Sequence, residues 1–258
     1  LARLKEAPHL RRRIFIIGCP RSGTSIAVRL FARHPQVANR TEAGLIWDPL
    51  HYFHPEADHL WTADMVAEVD VRRLHTQFEY YRQKENKARL VNKHPRNSVR
   101  IGYIHRVFQD AHFVHVIRDG RAVANSIVNR TQREPGRHSL PFGGFCEPPG
   151  WRNLLRSDPY EQAALQWREI VRYVLTWRKV PDEHYHEFRY RDMCAKPREV
   201  FAAAYESAGL PVSGEILANL PDTMNSMNYK YREQLSAAQI ATITHAQHSL
   251  LEELGYAI

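Results

Sequence analysis

The sequence has few cysteines, and none of them are closely spaced. Three cysteines occur in 258 residues, at positions 19, 146 and 194, with no Cys-x-x-Cys pair. A disulfide framework or a structural zinc site needs more cysteines at closer spacing. His51, His54 and His59 match no metal-ligand spacing either. The sequence therefore predicts reduced thiols and no metal centre.

Long apolar runs are also lacking. No stretch approaches the roughly 18 consecutive apolar residues that a membrane-spanning helix requires. Residues 1–13 are basic and contain Arg11-Arg12-Arg13, without the apolar core of a signal peptide. We therefore expect a solvated basic lead-in over residues 1–13, no membrane span and a cytoplasmic location.

The remaining composition is that of an ordinary globular protein. Of the 258 residues, 43% are hydrophobic and 25% are charged, which fits one substantial α/β domain over residues 1–258. Strand-like segments such as Ile14–Ile17, Arg89–Asn92 and His112–Ile117 alternate with segments of helical periodicity. This alternation predicts a three-layer fold with a central, mostly parallel sheet flanked by helices, whose ligands bind at the carboxyl ends of the strands.

A glycine-containing loop follows the first predicted strand. The segment Gly18-Cys-Pro-Arg-Ser-Gly-Thr-Ser25 leads from that strand into a helical pattern at Ile26–Arg33. The Gly-x-x-x-x-Gly spacing is that of a P-loop, in which backbone N–H groups and a helix N-terminus bind a phosphate. Nearby hydroxyl groups add further donors. They belong to Ser22, Thr24 and Ser25.

The loop departs from that of a nucleotide kinase. A kinase or ATPase loop carries Lys-Ser/Thr after the second glycine, to bind the β- and γ-phosphates and Mg²⁺. Here those positions are Thr24 and Ser25, and the loop's cation is Arg21. This pattern favours a phosphate ligand that needs no metal ion.

A second group of anion-binding residues follows the strand at His112–Ile117. Arg118 ends this strand, and Ser126 and Arg130 are four residues apart, so they share one face of the next helix. Two anion sites at the ends of different strands predict a ligand that is phosphorylated at two separate places.

With these motifs in order, the sequence resembles the sulfotransferases that use 3′-phosphoadenosine 5′-phosphosulfate (PAPS). It is most similar to the branch of tyrosylprotein sulfotransferases and bacterial relatives. Gly18–Ser25 matches the family's 5′-phosphosulfate loop, and Ile117-Arg-Asp-Gly-Arg-Ala-Val-Ala-Asn-Ser126 matches its 3′-phosphate motif. Val91-Asn-Lys-His-Pro95 matches its strand-end lysine motif, and Phe188-Arg-Tyr-Arg-Asp192 resembles its Arg-Tyr-Glu-Asp segment. The resemblance implies a P-loop-type fold, PAPS as donor and PAP as product.

The resemblance also implies roles for individual residues. It assigns the 5′-phosphosulfate to Arg21, Ser22, Gly23, Thr24 and Ser25, and the 3′-phosphate to Arg118, Ser126 and Arg130. It places Tyr190 near the adenine, and a loop that closes over the cofactor near Ser226 and Lys230. Arg21 and Lys93 would stabilise the leaving phosphate.

Two residues are candidates for the general base. Glu42 lies at the position of the base in the tyrosylprotein branch. The cytosolic small-molecule branch uses a histidine two residues after its strand-end lysine, whereas His94 follows Lys93 directly. We favour Glu42, and His94 remains the alternative.

Other functions remain open from the sequence. The net charge of +8 suits a polyanionic ligand and does not identify it. The alternatives are a P-loop kinase of a small hydroxylated substrate and a non-catalytic polyanion-binding protein. Under the favoured interpretation the partner is a hydroxyl-bearing acceptor of unknown class, not nucleic acid, and the oligomeric state is undefined.

Two segments carry no motif and are candidates for acceptor binding. Residues 40–60 are rich in aromatic side chains. Residues 131–157 are rich in proline and glycine, which predicts a mobile loop on the acceptor side.

Overall fold

The computed structural model describes residues 12–49, 58–179 and 184–258. Most of the basic lead-in, residues 1–11, and part of the aromatic-rich segment, residues 50–57, lie outside the described residues. Within the described ranges, five parallel strands form one sheet in the order β2-β3-β1-β4-β5. The strands are β1 Ile14–Ile17, β2 Val37–Thr41, β3 Arg89–Lys93, β4 His112–Ile117 and β5 Tyr185–Arg189.

Helices connect the strands and cover both faces of the sheet. In chain order they are α1 Thr24–Phe31, α2 Gly44–Trp47, α3 Glu68–Lys84, α4 Ile101–Val107, α5 Gly120–Arg133, α6 Pro159–Leu175, α7 Tyr190–Ala195, α8 Pro197–Ser207, α9 Gly214–Ala218, α10 Lys230–Gln234 and α11 Ala237–Glu253.

The central strand β1 separates two hydrophobic cores. Its side chains alternate, so Phe15 and Ile17 pack on one face, and Ile14 and Ile16 pack on the other. Residues of α3, α4, α5, α6 and α11 belong to the first core, and residues of α1 and α8 to the second. The predicted three-layer α/β fold with a parallel sheet is confirmed.

The strand register aligns the carboxyl ends of all five strands at one edge of the sheet. Ile17 of β1 pairs with His115 of β4, and Thr41 of β2 pairs with Lys93 of β3. The loops that follow the strands therefore start side by side, which is the usual binding position in a parallel α/β sheet.

Several boundaries differ from those that the sequence predicts. The charged, amphipathic pattern of residues 63–87 predicts one long helix, but α3 begins only at Glu68, because Val66 and Ala67 have extended backbone angles. Helix α5 continues to Arg133, and short 3₁₀ turns occupy parts of residues 134–157. Phe142 in this segment is buried. In the described ranges, no helix is both long enough and apolar enough to cross a membrane.

Candidate active site

The five strand ends surround one cleft of about 520 Å³. Each strand contributes at least one lining residue at or just after its carboxyl end. These are Arg21 after β1, Glu42 after β2, Lys93 at the end of β3, Arg118 after β4 and Tyr190 after β5. The volume lies within the roughly 300–1,000 Å³ typical of sites for small molecules and cofactors.

Backbone geometry shapes the loop after β1. Gly18 has a φ of 147°, and a Cβ there would lie 2.6 Å from the Val116 carbonyl oxygen. Ser98 fixes this glycine, because its Oγ accepts from the Gly18 N–H at 2.9 Å and donates to the Gly18 carbonyl at 2.8 Å. The loop is therefore held against the ends of β3 and β4.

The loop ends at the N-terminus of α1. Gly23 is the N-cap, with a φ of 96°, and no side chain caps the helix. The first N–H groups of a helix have no partners within it, and with the helix dipole they favour an anion. Thr24 and Ser25 line the cleft at this point. The residues present fit a 5′-phosphate group.

The side chain of Ser22 lies elsewhere. Ser22 is completely buried, and its backbone N–H donates to the Cys19 carbonyl at 3.1 Å. It does not line the cleft, because the turn directs its hydroxyl into the protein. Of the residues that the resemblance assigns to the 5′ end, Arg21, Gly23, Thr24 and Ser25 do line it.

Arg21 reaches from the loop towards α5. Its Nε donates to Ser126 Oγ at 3.1 Å, which joins the two sequence motifs directly. Burial lowers the pKa of Arg21, and the neighbouring cations Arg130 and Arg137 lower it further. A dianionic ligand would neutralise this concentration of positive charge.

Arg118 connects the two motifs through its guanidinium group. Nη1 donates to the Arg21 carbonyl at 3.0 Å, Nη2 to the Met227 carbonyl at 3.0 Å, and Nε to Asn228 Oδ1 at 2.8 Å. The group also lies 4.4 Å from the ring centre of Tyr190. Among the contacts of the described residues, three of its five N–H groups are used in these bonds, so two remain for a ligand.

The segment before α10 lies over this side of the cleft. Tyr190 accepts the Met227 N–H at 3.3 Å, and Lys230 lines the cleft at the start of α10. Ser226 does not line it; its Oγ accepts the Asn228 N–H at 3.4 Å. Lys230 is therefore the member of the pair that faces the cleft.

Glu42 and Lys93 form an ion pair at the opposite side of the cleft. Lys93 Nζ lies 2.6 Å from Glu42 Oε1, with the lysine side chain 5% exposed and the glutamate side chain 58% exposed. The Glu42 N–H also donates to the Lys93 carbonyl at 2.7 Å. Glu42 has a φ of 50°, a left-handed conformation that costs energy in a non-glycine residue. Arg21, with a φ of 71°, shares this feature.

The alternative base lies away from the cleft. His94 is 3% exposed, and its Nδ1 accepts the Arg96 N–H at 3.2 Å. Burial lowers the pKa of His94 well below its usual value, and the cations Arg100, Arg96 and Lys93 lower it further. In the described part of the chain, no group of three or more His, Cys, Asp or Glu residues could hold a metal ion.

The sequence analysis did not identify several residues that line the cleft. Asn125 and Asn129 both donate to Gln234 Oε1, at 2.8 and 3.0 Å, and so tie α5 to α10. The two asparagines precede Ser126 and Arg130 by one position and share their spacing of four, which is a usable signal. Gln234 is distant in sequence and carries no such signal.

Comparisons with known proteins identify the family of the chain. Residues 13–214 match the model of the sulfotransferase family. Protein-tyrosine sulfotransferase A of Caenorhabditis elegans is 29% identical over 190 residues, which cover 65% of this chain and 50% of that protein. The chain spans 28%, 65% and 50% of the length of three curated relatives that it matches.

Solved structures share the fold. The sulfotransferase domain from the Synechococcus PCC 7002 olefin synthase superposes with a TM-score of 0.59 at 21% identity, covering 96% of this chain and 95% of that one. Mouse sulfotransferase SULT7A1, complexed with PAP, gives a TM-score of 0.53 at 12% identity, covering 96% and 89%. Because the family model covers far more than half of the sequence, the chain belongs to the sulfotransferase family.

Proposed function

We propose that this protein transfers a sulfuryl group from PAPS to a hydroxyl acceptor, by in-line displacement with Glu42 as proton acceptor. One observation carries the proposal: the Arg21 loop and Arg118, which follows β4, line the same cleft, and Arg118 Nη1 lies 3.0 Å from the Arg21 carbonyl oxygen. Family membership and the PAP complex of the mouse relative support the choice of donor.

The binding roles follow from the two ends of the cleft. Arg21, Thr24 and Ser25, with the N-terminus of α1, bind the 5′ end of the donor. Arg118, Ser126 and Arg130 bind the 3′-phosphate, and Tyr190 and Lys230 contact the nucleoside between them. All eight residues line the cleft, which supports this assignment.

The reaction makes three demands on the protein. Bound PAPS supplies an activated sulfuryl group on a phosphate leaving group. Arg21, Lys93 and the N–H groups of α1 stabilise the charge that develops on that phosphate. The cleft orients the acceptor hydroxyl for in-line attack, and Glu42 takes its proton. We assign each of these steps to side chains and backbone N–H groups, without a metal ion.

The geometry favours Glu42 over His94 as the base. Glu42 lines the cleft, and Lys93 holds its Oε1, so we assign Oε2 to accept the proton. His94 is buried behind the strand end, and its Nδ1 already accepts a backbone N–H. Burial also disfavours the protonated imidazole, which makes His94 a weak proton acceptor.

We assign the acceptor to the side of the cleft that is lined by Glu42 and Lys93. Phe145, from the segment of residues 131–157, lines the cleft together with Glu42 and Lys93. We propose that this segment contacts the acceptor. This lining is compatible with tyrosyl, carbohydrate, lipid and natural-product hydroxyls.

A thermal-shift comparison tests the donor assignment. A ligand present at 100 times its Kd raises the melting temperature of a domain of this size by about 5–10 °C. We expect a shift of this size with PAP and a much smaller one with ATP and Mg²⁺. A larger shift with ATP and Mg²⁺ would favour the kinase, and stabilisation by any polyanion, lost at high salt, would favour a non-catalytic binder.

A further inference from the structure

Arg130 has an anionic partner within its own helix region. Glu134 is the C-cap of α5, four residues after Arg130, and its carboxylate forms an ion pair with the Arg130 guanidinium. Arg137 also forms an ion pair with Glu134, through its Nε. The carboxylate therefore lies between two guanidinium groups.

The residues proposed for the 3′-phosphate differ in their internal partners. Ser126 accepts from Arg21, and Arg118 donates to two carbonyl oxygens and one amide oxygen. These partners are a cation and neutral dipoles, which do not compete for the place of a phosphate. Arg130 alone among the three pairs with a carboxylate in the described contacts. A phosphate that binds Arg130 must compete with Glu134.

The position of Glu134 is fixed from its other side. Arg137 Nη1 donates to the Gly143 carbonyl at 2.9 Å, and the Arg137 guanidinium lies 4.7 Å from the ring centre of Phe145. Arg137 is thus anchored independently of Arg130, so it retains Glu134 when Arg130 turns to another anion. The ion pair with Arg130 can open without displacing Glu134.

The charge of Glu134 also affects Arg21, which lines the cleft. Glu134 raises the pKa of Arg21, whereas burial, Arg130 and Arg137 lower it, and the net direction is downward. Burial and the neighbouring cations outweigh the effect of Glu134 on Arg21, so the main partner of Glu134 among the cleft residues is Arg130.

We propose that Glu134 is an internal counter-anion that keeps Arg130 paired in the empty protein and lowers the affinity for the 3′-phosphate. This inference rests on the proposed function. Its consequence for turnover is that Glu134 favours dissociation of the bisphosphorylated product, because it restores the partner of Arg130 when the phosphate leaves.

Calorimetric titration of Glu134→Gln tests the proposal with two nucleotides. We expect PAP to bind about two- to fivefold more tightly than to wild type, the range for an exposed ion pair. Adenosine 5′-monophosphate, which lacks the 3′-phosphate, should bind with unchanged affinity. Glu199→Gln is the control, since it makes the same charge change in an exposed pair with Lys196, outside the cleft.

A second pair of variants distinguishes direct pairing of Glu134 with Arg130 from a general electrostatic effect of Glu134 on the cleft. In Arg130→Gln, the further change Glu134→Gln should no longer strengthen PAP binding. Equal strengthening with and without Arg130, an equal effect on both nucleotides, or weaker PAP binding in Glu134→Gln would each overturn the proposal. PAP binding to wild type is measured before any variant is compared. If wild type does not bind PAP, the proposed function is wrong, independently of any effect of Glu134.

Discussion

The two ends of the cleft are proposed to bind anions in different ways. The 5′ end is one continuous segment, residues 18–25, in which the backbone conformation positions most of the groups that would contact the anion. The 3′ end is assembled from side chains of α5 and of the segment that leads into α10, which are far apart in sequence. Arg118 joins the two ends, since it contacts the Arg21 carbonyl and Asn228.

The contrast predicts different tolerance to substitution. A backbone site fails when a Cβ is added, because its glycines have conformations and contacts that other residues cannot adopt. A side-chain site loses one interaction at a time and keeps its shape. Four substitutions test this difference.

Glu42→Gln leaves both ends intact and removes the proton acceptor. We expect turnover to fall about 10²- to 10⁴-fold. PAP affinity should stay near that of wild type, measured by calorimetry beside a sulfuryl-transfer assay. His94→Gln is the matched variant, and we expect it to retain far more activity. Full activity of Glu42→Gln, or the larger loss in His94→Gln, would exclude Glu42 as the base.

Gly23→Ala breaks the 5′ end. The added Cβ would lie 2.6 Å from Tyr190 Cδ2, at a φ of 96°. Loss of two charge-assisted hydrogen bonds between this end of the cleft and the 5′-phosphate, at about 1.5 kcal/mol each, corresponds to about 100-fold weaker binding. We expect this for PAP and adenosine 5′-monophosphate alike. Gly150→Ala is the control, since Gly150 has a φ of 68° and no atom within 4 Å of its added Cβ.

Ser126→Ala weakens only the 3′ end. One charge-assisted hydrogen bond of about 1.5 kcal/mol corresponds to about tenfold weaker PAP binding. Adenosine 5′-monophosphate should bind almost as well as to wild type in the same titration. Ser157→Ala, an exposed serine outside the cleft lining, should change neither. Equal losses for both nucleotides would mean that Ser126 does not distinguish the 3′-phosphate.

Arg21→Gly tests the strain at the 5′ end. Relief of the left-handed conformation should raise the free energy of unfolding by up to about 1 kcal/mol, measured by denaturant titration. Arg29→Gly, within α1, should instead lower the free energy of unfolding by about 1 kcal/mol. A clear loss of stability in Arg21→Gly would show that its side-chain contacts outweigh the strain.

The same contrast explains what the sequence could reveal. The fold and the 5′ end follow from local patterns, because Gly18, Arg21 and Gly23 are close in the chain and their spacing determines the turn. Ser22 is the exception, since its burial depends on how the turn packs against the sheet. Local spacing does not contain that information.

The 3′ end was only partly predictable. Ser126 and Arg130 share a helix face, and this spacing is visible in the sequence. Asn228 and Gln234 come from a distant segment, so only the tertiary structure brings them to α5. Glu134 belongs to the same helix region, but its pairing with Arg130 becomes meaningful only once Arg130 is known to line the cleft.

A crystal structure with bound PAP would decide whether one nucleotide occupies both anion sites. We expect the 5′-phosphate about 3 Å from the Thr24 and Ser25 N–H groups. We expect the 3′-phosphate in contact with Ser126 and Arg130 of the same molecule. A nucleotide bound with its ends reversed, or with its 3′-phosphate in solvent, would contradict this assignment.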